Sequence, residues 1–311
     1  MTVHGPAVSI SICLHLDAAT PFESMDQIVQ LLFNGLTLGA IYGLVALGLT
    51  MVYGVLHIPN FAHGALYMVG GYVAYTLISK LGLGYWWAML GAGTTVALLG
   101  MLMQALVFAP LRKAPELYDM IGAIGVMLFL ESAAQLIWGA GFHRLPTPYG
   151  QVLQIAGMPF PLQRVLIIAA AFVLVIVLHL FLTRTITGST ILALAQDPQG
   201  AALVGIDARW VTYLVFAISG ALAAVAAVLY APINLLYPTM GGLVIVKAFV
   251  IIILGGMGSF PGAILGGLII GMAESFGGFY VSTDYKDIIA FVLLVVVLSV
   301  RPQGLLTQGA R

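Results

Sequence analysis

Charged side chains are scarce here: only 7% of the 311 residues are Asp, Glu, Lys or Arg, too few to cover a soluble domain of this length. Eleven basic residues balance eleven acidic ones, which removes the basic face that a nucleic acid would need and leaves no acidic tail. The single cysteine, Cys13, cannot close a disulfide within the chain and has no Cys or His neighbour at ligand spacing. His4, His15, His57, His63, His143 and His179 are scattered, so no metal site is expected. No G-x4-G-K-[ST] loop is present to cradle ATP, and any energy from ATP has to come through a partner. GGMGSFPG carries Pro261 where a dinucleotide fingerprint needs its third glycine, and no βαβ unit surrounds it. With no nucleophile beside a base, an enzyme is not expected, nor a cofactor of the chain's own.

What is abundant is apolar sequence, 61% of the chain, with mean hydropathy +1.10. The apolar stretches run about 20 residues or more, enough for a helix to cross a hydrocarbon core of about 30 Å. The alternating ten-residue segments of a β-barrel are not seen. The expected architecture is an all-α polytopic membrane protein of about eight transmembrane segments, near 28–56, 61–79, 85–109, 120–138, 165–182, 210–230, 242–273 and 287–300. Gly35, Gly39, Gly43 and Gly48 in the first segment have the spacing that lets helices approach closely in lipid. The proline-rich stretch 139–163 reads as an aqueous loop with room for a short hairpin. Residues 1–24 read as an N-terminal extension before one membrane domain, 25–311; a signal peptide is the rival reading, without a basic n-region.

Two segments are interrupted by G-x4-P-x4-G, at GVLHIPNFAHG (Gly54–Gly64) and GMGSFPGAILG (Gly256–Gly266). With 14 Pro and 37 Gly in the chain, random arrangement predicts fewer than one such match. Paired breaks of this kind point to a translocation pathway, here assigned to Asn60, Phe61, His63 and Gly64 and to Gly255, Gly256, Gly258 and Pro261. Asn60 is placed to cap a half-helix; alternatively, Asn60 and His63 satisfy backbone groups freed by the break. Segment 242–273 is open to three readings: one broken helix, a re-entrant pair, or two short helices.

Charge inside the apolar segments is limited to Glu131 and Lys247, with Glu274 near a segment end. Glu131 alone makes a thin proton relay, and the stem of Lys247 is long enough to snorkel to the interface. Basic residues give a weak orientation signal, which places 183–207 inside the cell and 139–163 outside. Within the polar loop at about 184–208, ALAQDPQGAALVGID contains a short helix after Pro198 that stops near Gly205, suited to docking into the cleft of a soluble ATPase. An ordinary solvated loop is the other reading.

LGLTMVYGVLHIPNFAHG, VKAFVIIILGGMGSFPGAILGGLIIGMAES, STDYKD and RPQGLL, in this order, resemble the permease subunits of ATP-binding-cassette importers for branched-chain amino acids, the LivH type, over nearly everything from Met25 onward. The resemblance implies a bacterial inner-membrane subunit paired with a second permease of the LivM type. Two ATP-binding subunits would bind the ATP, and an external solute-binding protein would supply substrate. It also implies a coupling helix contributed by Ala193, Gln196, Asp197, Pro198, Ala201, Gly205 and Ile206. The chain departs from the pattern at Leu194, where Arg is common, and at Gln199 and Ala65, where acids are frequent. Permeases for urea, short amides or organic acids share the family, and a secondary carrier is the competing class.

Overall fold

The computed structural model describes residues 21–306 apart from 113, 156, 157, 283, 284 and 302. Cys13 and most of the expected extension 1–24 lie outside the described residues. In chain order the helices are α1 (Pro21–Leu56), α2 (Ala62–Ser79), α3 (Tyr85–Met103), α4 (Ala109–Leu111), α5 (Glu116–Trp138), α6 (Leu162–Arg184), α7 (Ile186–Gln196), α8 (Pro198–Leu203), α9 (Ala208–Tyr230), α10 (Met240–Gly255), α11 (Phe260–Tyr280) and α12 (Lys286–Val300). A π-helical turn, Gln104–Phe108, joins α3 to α4. Strands β1 (Val152–Ile155) and β2 (Met158–Pro161) pair antiparallel inside the proline-rich loop, the short hairpin that the sequence allowed.

Among the described residues six helices are long and apolar enough to span a membrane: Met25–Leu56, Tyr85–Leu111, Glu116–Trp138, Leu162–Arg184, Ala208–Tyr230 and Phe260–Tyr280. The protein is therefore an all-α polytopic bundle. Its centre is α1, whose most apolar window is 83% buried, while α5, at 17%, faces outward. The outward helices carry exposed Leu and Phe such as Leu128, Phe129 and Phe172, as a lipid-facing surface requires.

Glycines set the core distances. Gly267 backs onto Gly43, and Gly271 onto Gly39, so closely that a methyl group at either would meet backbone; Gly35 in turn faces Met272. The glycine spacing of α1 thus has its partner in α11, running antiparallel. A second seam joins α3 to α9, where Gly100 meets the Phe216 carbonyl and Gly220 meets that of Val96.

The first break is a return path. α1 closes with His57 in the left-handed conformation, φ 58°, and Pro59 prevents the helix from resuming at once. The chain then runs back into the protein, so that α2 starts with His63 against Val45 of α1 and Ser219, halfway along α9. The second break is a tight turn: Gly255 faces Gly262 and Ile251 faces Gly266, which makes α10 and α11 an antiparallel hairpin. Segment 242–273 is therefore two helices of 16 and 21 residues packed side by side, and not one helix that continues through its break. Leu305 and Leu306 of RPQGLL donate their N–H groups to the carbonyls of Leu254 and Gly255, at 2.8 and 3.0 Å, and so satisfy the end of α10.

Candidate functional site

The polar loop folds as α7 and α8, each fixed by a cap. Thr185 Oγ1 accepts from Gly188 N at 3.0 Å, and Asp197 Oδ1 accepts from Gln199 N and Gly200 N at 3.0 Å each, with Pro198 in the first turn of α8. Gly205, φ 83°, ends α8; Ile206 N bonds to Ala201 O and Gly205 N to Ala202 O, a Schellman closure. Asp207 then caps α9 through Arg209 N at 2.8 Å. Gln196, Asp197, Pro198 and Gly205 are exposed, Ala193 and Ile206 are half-buried, and Ala201 is turned inward. Leu203 and Val204 stand at the tip, 88% and 77% exposed, two apolar side chains that the monomer leaves uncovered.

This helix pair sits on both breaks. A cavity of about 290 Å³ separates Leu194 and Pro198 from Leu56, His57 and Ile58, and another of about 300 Å³ separates Leu192 and Gln196 from Met257, Gly258 and Pro261. The predicted pathway residues form two groups. Asn60, His63 and Gly64 are fully buried and Phe61 half-buried, next to the start of α10, where Gly64 and Gly241 touch backbone to backbone. Gly255, Gly256, Gly258 and Pro261 lie at the other end of α10, about 21 Å along its axis at 1.5 Å per residue. The polar side chains of the first group are used internally: Asn60 Oδ1 accepts from Ala62 N at 3.1 Å, and the His63 ring bridges Val45 O and Ser219 Oγ at 3.0 and 3.1 Å.

Lys247 does not snorkel. It is buried, and its ammonium lies 2.8 Å from Glu274 Oε1 and 2.8 Å from Asp287 Oδ1. Tyr42 accepts from Lys247 at 3.0 Å and donates to Glu274 Oε2 at 2.9 Å, so four helices meet in one ionic knot. The sequence marked Lys247 and Glu274 as intramembrane charges but did not pair them, and it passed over Tyr42 and Asp287. The available signal was physical, since opposite charges in lipid-embedded segments have to find each other. Glu131 is half-buried on α5 and has no ion-pair or hydrogen-bond partner among the described residues. Among the described residues no group of three or more His, Cys, Asp or Glu is arranged to hold a metal.

These features define a polytopic helical membrane protein with a capped, apolar-tipped helix pair at one end and a buried ionic knot. The chain belongs to the family described as branched-chain amino acid transport system / permease component, whose model matches residues 31–298. It is 37% identical over 302 residues to the high-affinity branched-chain amino acid transport system permease protein LivH of Escherichia coli K12, covering 91% of this chain and 97% of that protein. It is 28% identical over 297 residues to LivM of the same organism, covering 87% of this chain and 68% of LivM. Among solved structures, PsaBC from Streptococcus pneumoniae in complex with Fab covers 91% of this chain and 97% of its own at TM-score 0.52; with 13% identity, that likeness concerns the fold.

Proposed function

We propose that this chain is the membrane-spanning permease subunit of an ATP-driven importer for branched-chain or related amino acids in a bacterial inner membrane. It works beside a second permease of the LivM type, supplying pathway rather than catalysis. α2 and α12 add shorter crossings to the six long helices, and α10 folds back on α11 without adding a crossing of its own, which gives about eight membrane segments. The α7–α8 end faces the cytoplasm, where two ATP-binding subunits hydrolyse ATP; an external solute-binding protein delivers substrate at the opposite end.

The observation that carries this reading is the seating of α7–α8. Its apolar tip, Leu203 and Val204, is free to enter a partner's cleft, and its inner face borders two cavities whose far walls are the flanks of both breaks. Movement of the helix pair would open or close these two cavities, which lie where the helices of the core are interrupted.

Reconstitution tests it. Proteoliposomes with this chain alone should neither hydrolyse ATP nor accumulate leucine. Adding the second permease, the ATPases and the binding protein should confer ATP-dependent uptake. Leucine accumulation by the lone chain under a proton or sodium gradient would replace the importer reading with a secondary carrier.

A further inference from the structure

Beside the ionic knot is a cavity of about 150 Å³, at the end of α9 remote from α7–α8. That is about the volume which in other proteins encloses a benzene-sized group. Its walls come from α1, α2, α9, α10, the turn after α9, and Asp287 of α12. Resting on the importer reading, we propose that this cavity is a substrate station that recognises the ammonium group of an amino acid, with Asp287 as anchor and Tyr67, Tyr230 and Tyr237 around it.

The charged groups decide which end of an amino acid fits, because Asn234 and the tyrosine hydroxyls that line the cavity can each donate as well as accept. An ammonium has three protons, and those of Lys247 are matched by Tyr42, Glu274 and Asp287. A carboxylate entering here would find no unused proton on Lys247 and two fixed carboxylates close by. Acceptors, by contrast, are to spare. The Asp287 side chain is 39% exposed and engages Lys247 through Oδ1, while Oδ2 has no donor among the described residues. Tyr67 is 2% exposed and has no hydrogen-bond partner among the described residues, although it lines the cavity. Tyr230 and Tyr237 line the cavity with it, and aromatic rings attract a cation that comes to lie over them. Two carboxylates against the one lysine leave the knot a surplus negative charge among the described side chains at this cavity. Arg164 lies beyond Tyr230, in an adjoining cavity of about 260 Å³ that also touches Glu274.

Lys247 is then a positioning residue: it fixes Asp287 while leaving one carboxylate oxygen open. Ile41, Met240 and Val244 supply apolar wall for a short aliphatic side chain.

Saturation-transfer NMR on the complete permease and ATPase complex in nanodiscs, without binding protein, gives the test. The probes are leucine, isoamylamine (the ammonium without the carboxylate) and 4-methylpentanoate (the carboxylate without the ammonium). Leucine and isoamylamine should bind, and 4-methylpentanoate should not. Asp287→Asn should weaken both binders at least tenfold, and Tyr67→Phe, which removes only a hydroxyl, should weaken them several-fold at unchanged membrane abundance. Equal binding of 4-methylpentanoate and isoamylamine, or unchanged binding in both variants, would overturn the proposal. ATP-driven leucine uptake by the same preparation, supplied with binding protein, reports on the importer reading separately. Uptake without isoamylamine binding would sink the station and keep the importer; absence of any ATP-driven uptake would sink the importer.

Discussion

At the residue scale the most consequential contact is Lys247 with Glu274, two buried charges on different helices that share Tyr42. Removing one partner strands the other in a low-dielectric interior, whereas removing both exchanges an ionic contact for an apolar one. Lys247→Met should therefore destabilise the protein by about 3 to 5 kcal/mol and reduce its amount in the membrane. The double variant Lys247→Met with Glu274→Leu should recover most of that loss. Thermal unfolding of the purified protein, read with membrane abundance, checks the pair; a single variant as stable as the parent would show that the knot contributes nothing to folding. The pairing was not legible in the sequence because the two residues stand 27 positions apart on either side of a turn that could be drawn in three ways. Once α10 and α11 are a hairpin, the contact follows.

At the element scale, far more of α7–α8 was legible, because its signals are local. Asp-Pro after Gln196 gives a cap and a first-turn proline, and Gly205 supplies the positive φ that ends the helix. What local signals could not give is the direction in which the apolar residues point. Ala201 turns into the bundle and Leu203 with Val204 turns out, so the tip, rather than Ala201, is the surface to perturb. Replacing Leu203 and Val204 together with Asp should cut ATP-driven uptake at least tenfold while abundance stays constant, since neither side chain is packed within the monomer. Uptake preserved in that variant would reduce α7–α8 to a solvated loop. Substitution of Gly205 acts differently: a β-branched residue such as Val at φ 83° costs about 1 to 3 kcal/mol of backbone strain and should loosen the helix pair itself.

At the scale of the whole molecule, the long apolar runs and the two breaks were readable because they depend on composition and on proline and glycine chemistry. Depth was not readable: nothing local says that α2 begins inside the protein, or that the second break is a turn at its end. Both facts arise from tertiary contact between glycine backbones. Gly64 against Gly241 ties the start of α2 to the start of α10, while Gly242, one residue on, has no atom within 4 Å of where a Cβ would stand. This neighbouring pair makes a matched experiment. Gly64→Val has to push α2 away from α10, an overpacking cost of about 1 to 3 kcal/mol, whereas Gly242→Ala fills open space. If the contact only holds the fold together, Gly64→Val should lower abundance and uptake in the same proportion, and Gly242→Ala should change neither. If the inner start of α2 also borders the pathway, as Asn60 and His63 were assigned, uptake per molecule should fall in Gly64→Val well beyond its loss of abundance. We expect the second result, because α2 and α10 both begin there and any opening between them has to displace this contact. Uptake normalised to membrane abundance for the two variants separates packing from passage, and strict proportionality would remove Asn60, Phe61, His63 and Gly64 from the pathway.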